Sequence, residues 1–325
     1  MTLLLALSNE RHSFLVADRR VTSNGLVQDD EFNKVTVLFC DDARVALAFT
    51  GLACCSGFNT RTWLWEALSE IGKTQHEIHS VLKVLESKAT SAFSRPPISN
   101  LPLSDRRLAI LVTGFVYRQG ARSSIVFCMS NFDTPYARFT IEMFPERRVF
   151  VKAAGCLSSL SESDLAAVEE ILQSDVAGDA IERKAVRLIQ RLAASNGLIG
   201  KQCNSAVIPG DADTVVTSTY HSAHITQRAY GADVVFALSC GPWAIAGPEI
   251  MSAGMLSGPP IRSNQTCWCG SGKRFKHCHK KTLGSVYAKL PMFREPLPWG
   301  AMQLLPDDVP SLASGRCFRV SSAFR

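Results

Sequence analysis

The chain predicts an α+β fold in which antiparallel sheets are covered by layers of helix. Three observations predict it. Strand-like runs arrive in adjacent pairs joined by short turns, the mark of hairpins. Helical periodicity appears twice, each time as two consecutive segments. The resulting order is strands, two helices, strands, two helices, strands, which is not the single-strand, single-helix alternation of a parallel βαβ sheet.

The first pair is residues 2–8 and 12–18, with Asn9-Glu10-Arg11 at the turn. The second is Lys34–Phe39 and Val45–Thr50, turning through Asp41-Asp42-Ala43-Arg44. Residues 58–73 and 75–94 then take helical spacing, with Ile78, Val81, Leu82 and Leu85 on one face and Pro96-Pro97 as the stop. A third strand pair follows at Arg107–Tyr117 and Ser124–Ser130, separated by Arg118-Gln119-Gly120-Ala121. Residues 136–144 and 148–154 read as two more strands, 162–174 and 179–195 as amphipathic helices, and Asn204–Ile208 and Asp213–Ser218 as returning strands. Residues 1–245 thus form one large domain. Residues 246–264, rich in Gly, Pro, Ser and Ala, read as a linker, 265–281 as a small metal-binding unit, and 282–325 as a tail without clear period.

Composition excludes several classes. The 325 residues are 46% apolar and 20% charged, ordinary for a globular chain, and the net charge of +6 does not by itself imply nucleic acid. No run of eighteen apolar residues marks a membrane span. The opening Met-Thr-Leu-Leu-Leu-Ala-Leu lacks the basic start and the length of a secretion signal, so the chain reads as cytoplasmic. The eleven cysteines are an odd count, and eight are scattered through apolar segments, which predicts buried thiols rather than a disulfide framework.

The amino terminus carries the first candidate chemistry. A threonine hydroxyl is a weak nucleophile and needs a base. A free α-amine, with an ordinary pKa of about 7.7–8.0, can be that base when the threonine is the first residue. Thr2 follows Met1 directly, so removal of Met1 would join both functions in one residue. A lysine would stabilise the developing alkoxide, and an aspartate would hold the lysine in place. The segments Thr2, Val16-Ala17-Asp18-Arg19-Arg20, Asn33-Lys34-Val35 and Ala46-Leu47-Ala48-Phe49-Thr50-Gly51 resemble the proteasome β-subunit family of Ntn hydrolases, including its spacings from the threonine. The resemblance implies a four-layer αββα sandwich over roughly residues 2–210 and hydrolysis of amide or peptide bonds by a threonine protease. It implies Thr2 as nucleophile, Lys34 as charge partner, Asp18 as its orienter and the Gly51 N–H as an oxyanion donor. Peptides or unfolded protein segments are the implied substrates and a homo-oligomer the implied assembly. The chain departs from the family after the fourth helix. Asn196 stands where an Asp is usual and Ile199 where a Ser is usual, while Cys156 falls near a further supporting Ser.

The second candidate is Cys267-Trp-Cys269-Gly-Ser-Gly-Lys-Arg-Phe-Lys-His-Cys278-His279. Two thiolates, then a thiolate and an imidazole, match the donor set of a closed tetrahedral structural Zn²⁺ site. The string resembles the SEC-C motif, which implies an adaptor that binds a partner protein or the ribosome. Its basic residues Lys273, Arg274, Lys276, Lys280 and Lys281 also suit an acidic partner. Elsewhere His221 and His224 show no carboxylate partner in sequence and read as surface or capping residues. Two functional readings follow: a threonine-type hydrolase carrying a zinc-binding adaptor, and a non-catalytic scaffold of the same fold whose zinc knuckle recruits a partner.

Overall fold

The computed structural model describes residues 2–245, except 24, 119–120, 134–137, 175, 223–225, 229–231 and 240–242, together with residues 274–277. The first half contains β1 (Leu3–Asn9), β2 (His12–Asp18), β3 (Val21–Ser23), β4 (Leu26–Asp29), β5 (Val35–Cys40) and β6 (Ala43–Gly51). The short β7 (Cys54–Cys55) and β8 (Phe58–Asn59) precede helices α1 (Thr60–Ile71) and α2 (Ile78–Phe93). Then come β9 (Leu108–Arg118), β10 (Ala121–Ser130), β11 (Thr140–Met143) and β12 (Val149–Gly155), followed by α3 (Glu162–Gln173) and α4 (Gly178–Ser195). The last strands are β13 (Cys203–Pro209), β14 (Thr217–His221), β15 (Thr226–Arg228), β16 (Asp233–Ala237) and β17 (Trp243–Ile245).

Two large sheets result. One runs β12-β1-β2-β13-β14-β15 and the other β11-β10-β9-β6-β5-β16-β17. They stack face to face, and each outer face carries two helices. The sequence of β1 and β2 explains why. Leu3, Leu5, Leu7, Phe14 and Val16 pack under α3 and α4, whereas Leu4, Ala6, Leu15 and Ala17 point to the interior between the sheets. In β6, Val45, Leu47 and Phe49 meet α1 and α2, while Ala46 and Ala48 face the other sheet. A strand buried on both faces needs apolar residues at every position, hence runs such as Leu-Leu-Leu-Ala-Leu without alternation. The stacked Phe39–Phe236 pair, 4.7 Å between ring centres, fills the inter-sheet layer.

Local chemistry sets the helix starts. Asn59 caps α1 by accepting from Thr62 N at 3.1 Å. Ser161 and Asp164 form a reciprocal capping box at α3. No helix among the described residues is long and apolar enough to cross a membrane.

The structure departs from the sequence expectation in four places. β16 lies parallel to β5, so the second sheet is mixed rather than wholly antiparallel. The chain reaches β16 from the edge of the first sheet, not through a hairpin, and a crossover leaves direction free. The neighbouring β11 and β12 belong to different sheets. β14 begins at Thr217, not Asp213, because Asp211 accepts from Asp213 N and Thr214 Oγ1 and holds a turn there. Thiol burial is uneven: Cys40, Cys156 and Cys203 are buried, Cys55 and Cys128 partly so, and Cys54 is exposed. β7 sits in a small hairpin off the sheets, which leaves Cys54 uncovered.

Candidate active site

Thr2 precedes the first residue of β1, which lies between β12 and β2, and is 4% exposed. Its carbonyl accepts from Cys156 N at 2.9 Å and from Thr50 Oγ1 at 3.3 Å. These two contacts come from the end of β12 in its own sheet and the end of β6 in the other, so Thr2 is gripped from both layers. Gly155 makes the first contact possible. It has φ +97°, and a Cβ there would lie 1.8 Å from the Thr2 carbonyl oxygen.

Lys34, just before β5, donates from Nζ to Thr2 Oγ1 at 2.6 Å, to the Arg20 carbonyl at 2.6 Å and to Asp18 Oδ1 at 3.4 Å. Three acceptors match the three protons of an ammonium group. Lys34 is 2% exposed, and burial lowers its pKa from the ordinary lysine value while the Asp18 carboxylate pulls it back. Asp18 is fully buried at the end of β2. Besides Lys34, it accepts from Leu3 N at 2.6 Å, Arg20 N at 2.8 Å and Gly200 N at 3.3 Å. It therefore ties the start of β1 to the loop after α4. Gly200 is required there, since a Cβ would lie 2.8 Å from Arg20 Cβ.

The structure thus brings Thr2, Asp18 and Lys34 into one hydrogen-bonded group. Gly51 ends β6 next to Thr50, with φ +107°, where a Cβ would lie 2.1 Å from the Arg107 carbonyl oxygen. Its neighbour Leu52 donates to that same carbonyl at 2.8 Å. Arg20 holds the rim through Asp30, at 2.5 and 3.1 Å. Behind the site Arg19 is buried, pairs with Glu31 at 3.4 Å and lies 5.3 Å over the Tyr220 ring. Burial pushes the Glu31 carboxyl up, opposed by Arg19 and by the Tyr220 hydroxyl that donates to it.

Several of these residues were not legible in the sequence. The contacts of Thr50 and Gly155 with the Thr2 carbonyl join distant strands, and Ser159, on the turn after β12, meets Asn196; no local pattern encodes any of these approaches. Asn196 and Ile199 lie where the sequence placed them, on the turn after α4, and behave differently from each other. Asn196 Nδ2 donates to Ser159 Oγ at 2.6 Å and to Cys156 Sγ at 3.3 Å. Ile199 is fully buried in the apolar layer under α4 and offers nothing polar. His221 corrects the sequence reading. It is buried, with Nε2 2.8 Å from Ser205 Oγ and 3.5 Å from Glu182 Oε1. Its carboxylate comes from α4, remote in sequence, while His224 lies outside the described residues.

Residues 264–281 match the family model of the SEC-C motif. Among solved structures the chain is similar to Anbu (ancestral beta-subunit) from Yersinia bercovieri, with a TM-score of 0.44, 12% identity, and coverage of 64% of this chain and 82% of that one. No curated protein matches the chain. Within the motif, the structure describes 274–277, where His277 N donates to the Arg274 carbonyl at 2.9 Å in a single tight turn. Cys267, Cys269, Cys278 and His279 lie outside the described residues, and no group of three metal-ligating side chains occurs among the described ones.

Proposed function

We propose that this chain is an N-terminal-threonine amidohydrolase of the Ntn type, acting on peptides or unfolded protein segments, with a zinc-binding SEC-C adaptor at residues 265–281. The observation that carries the reading is the 2.6 Å contact from the Lys34 ammonium to the Thr2 hydroxyl in a buried setting. Once Met1 is removed, the Thr2 α-amine takes the Oγ1 proton, and Oγ1 attacks the substrate carbonyl carbon. Lys34 stabilises the alkoxide as it forms, and Asp18 fixes Lys34. The Gly51 N–H is assigned to the oxyanion of the tetrahedral intermediate. The amine then returns the proton to the leaving nitrogen, leaving an ester on Thr2 that water hydrolyses. With Met1 in place the nitrogen is an amide and cannot act as base.

The four adaptor donors fit a closed structural Zn²⁺ site, in which the ion supplies folding free energy and no open position for chemistry. We assign the adaptor to a partner protein or the ribosome, the chain to the cytoplasm, and its assembly to more than one copy. Free thiols throughout the described residues support a reducing compartment.

The scaffold reading has its own supporting observation. Asn196 and the buried Ile199 supply neither carboxylate nor hydroxyl beside the turn that holds Thr2. A β-lactone, which acylates activated threonine, separates the two. The hydrolase reading expects one adduct per chain on Thr2, absent in Thr2→Ala. A folded, Met1-free protein that takes up no adduct is the scaffold.

A further inference from the structure

We propose that Cys54 and Cys55 are a redox modification site, a vicinal dithiol that low-molecular-weight disulfides oxidise to a Cys54–Cys55 disulfide, and that closing it frees the segment between Gly51 and α1; the effect on catalysis rests on the Thr2 chemistry proposed above. The two thiols are consecutive residues of β7, in a hairpin outside both large sheets. Cys54 is exposed, whereas Cys55 is half-buried and packs, with Phe58 and Trp63, against the core under α1 and α2. Strand geometry imposes that split, since successive side chains leave opposite faces. The hairpin is a small unit: Cys54 pairs with Asn59 and Cys55 with Phe58. Ser56 and Gly57 join them with φ of +35° and +88°, a conformation that costs the non-glycine Ser56 some strain. Both ends of the hairpin are tied to elements described above. The Leu52 carbonyl accepts from Thr60 Oγ1 at 2.5 Å and the Ala53 carbonyl from Thr60 N at 2.9 Å, while Asn59 caps α1. Gly51, assigned to the oxyanion, directly precedes Leu52.

The exposed Cys54 is the sulfur that a dissolved disulfide reaches first. Its thiolate attacks one sulfur of oxidised glutathione and expels a glutathione thiolate, leaving a mixed disulfide. Cys55 then gives up its proton and attacks Cys54 Sγ, expelling the second glutathione. The glutathione disulfide is reduced to two thiols, and the cysteine pair is oxidised with loss of two hydrogens. Burial and the neighbouring Cys54 raise the Cys55 thiol, which suits it to resolve the mixed disulfide rather than to start the exchange. The closed bond does not fit β7 as folded. Both sulfurs must come to one side of the strand, so the pairing with β8 breaks and Cys55 leaves its packing. Consecutive Cα atoms lie about 3.8 Å apart, short of the roughly 4.4–6.8 Å that disulfides usually span, so the bond is strained and readily reduced again. Transient bonds of this kind are the ones a reducing compartment uses for sensing.

The test treats the full chain with oxidised glutathione and follows residues 45–61, a single tryptic peptide that holds both cysteines and no other. Its mass should fall by two hydrogens and recover after dithiothreitol. In Cys55→Ser the peptide should stop at one glutathione adduct, and in Cys54→Ser it should react on the order of 10-fold more slowly. Hydrogen exchange at residues 52–60 should quicken in the oxidised chain. β-Lactone labelling of Thr2 should slow roughly 10-fold on oxidation, return on reduction, and stay unchanged by glutathione when both cysteines are serine. A peptide that never closes, or one that closes with exchange at 52–60 unaltered, overturns the proposal. Closure and faster exchange with labelling unaffected overturn its link to Thr2. A reduced, Met1-free protein that takes up no lactone removes the Thr2 reading instead, and the peptide mass and exchange still decide the site.

Discussion

At the scale of residues, Asp18 does two tasks with one side chain. It holds Lys34, and it closes backbone N–H groups from β1, from the segment after β2 and from the loop after α4. Asp18→Ala strands a buried ammonium and three donors, so a loss of about 3–5 kcal/mol is expected in urea unfolding. Lys34→Met removes the charge aimed at Thr2 Oγ1. We expect it to slow β-lactone labelling by roughly 10²–10³-fold, measured as the second-order rate at fixed pH. The Thr2, Asp18 and Lys34 set was legible because several short segments in the first 51 residues resemble a known family in register, its spacings from the threonine included; none of the three residues signals a site by itself. The grip on the Thr2 carbonyl was not. It depends on how Gly155 and Thr50 meet across two sheets, and no local pattern encodes that approach.

At the scale of elements, the same limit appears under α4. Glu182, Ser205 and His221 form a buried polar cluster joining α4 to β13 and β14. The hydrophobic period of α4 predicted the helix correctly, but it assigns no partner to a glutamate on the inward face. Burial pushes the Glu182 carboxyl up, yet hydrogen bonds from His221, Ser205 and Thr219 bring it below the ordinary value of 4.5. A carboxyl with a lowered folded pKa stabilises the fold above its unfolded value, and that contribution fades as pH falls through the folded one. Thermal midpoints should therefore drop below about pH 4.5, and Glu182→Gln should flatten that part of the profile. Hairpins and helix pairs were readable because each is local. The parallel β5–β16 pairing and the split of β11 from β12 were not, since both depend on which sheet a long connection enters.

At the scale of the whole molecule, thiol chemistry and metal content report on the two parts of the chain. Cys54 is exposed, whereas Cys40, Cys156 and Cys203 are buried, and burial raises the Cys40 and Cys203 thiols well above their ordinary value. A disulfide exchange reagent on the native protein should modify Cys54 early and reach these three only on unfolding. Peptide mapping after timed exposure checks the order. Metal analysis should find zinc bound stoichiometrically and lost on Cys267→Ser.

The central claim is that Thr2 supplies both nucleophile and base beside Lys34. The intact mass of the purified full chain, taken before and after β-lactone treatment, tests it most directly. The account predicts a chain beginning at Thr2 that gains one adduct, mapped to that residue. Retention of Met1, or an adduct on any other residue with Thr2 unmodified, would contradict it.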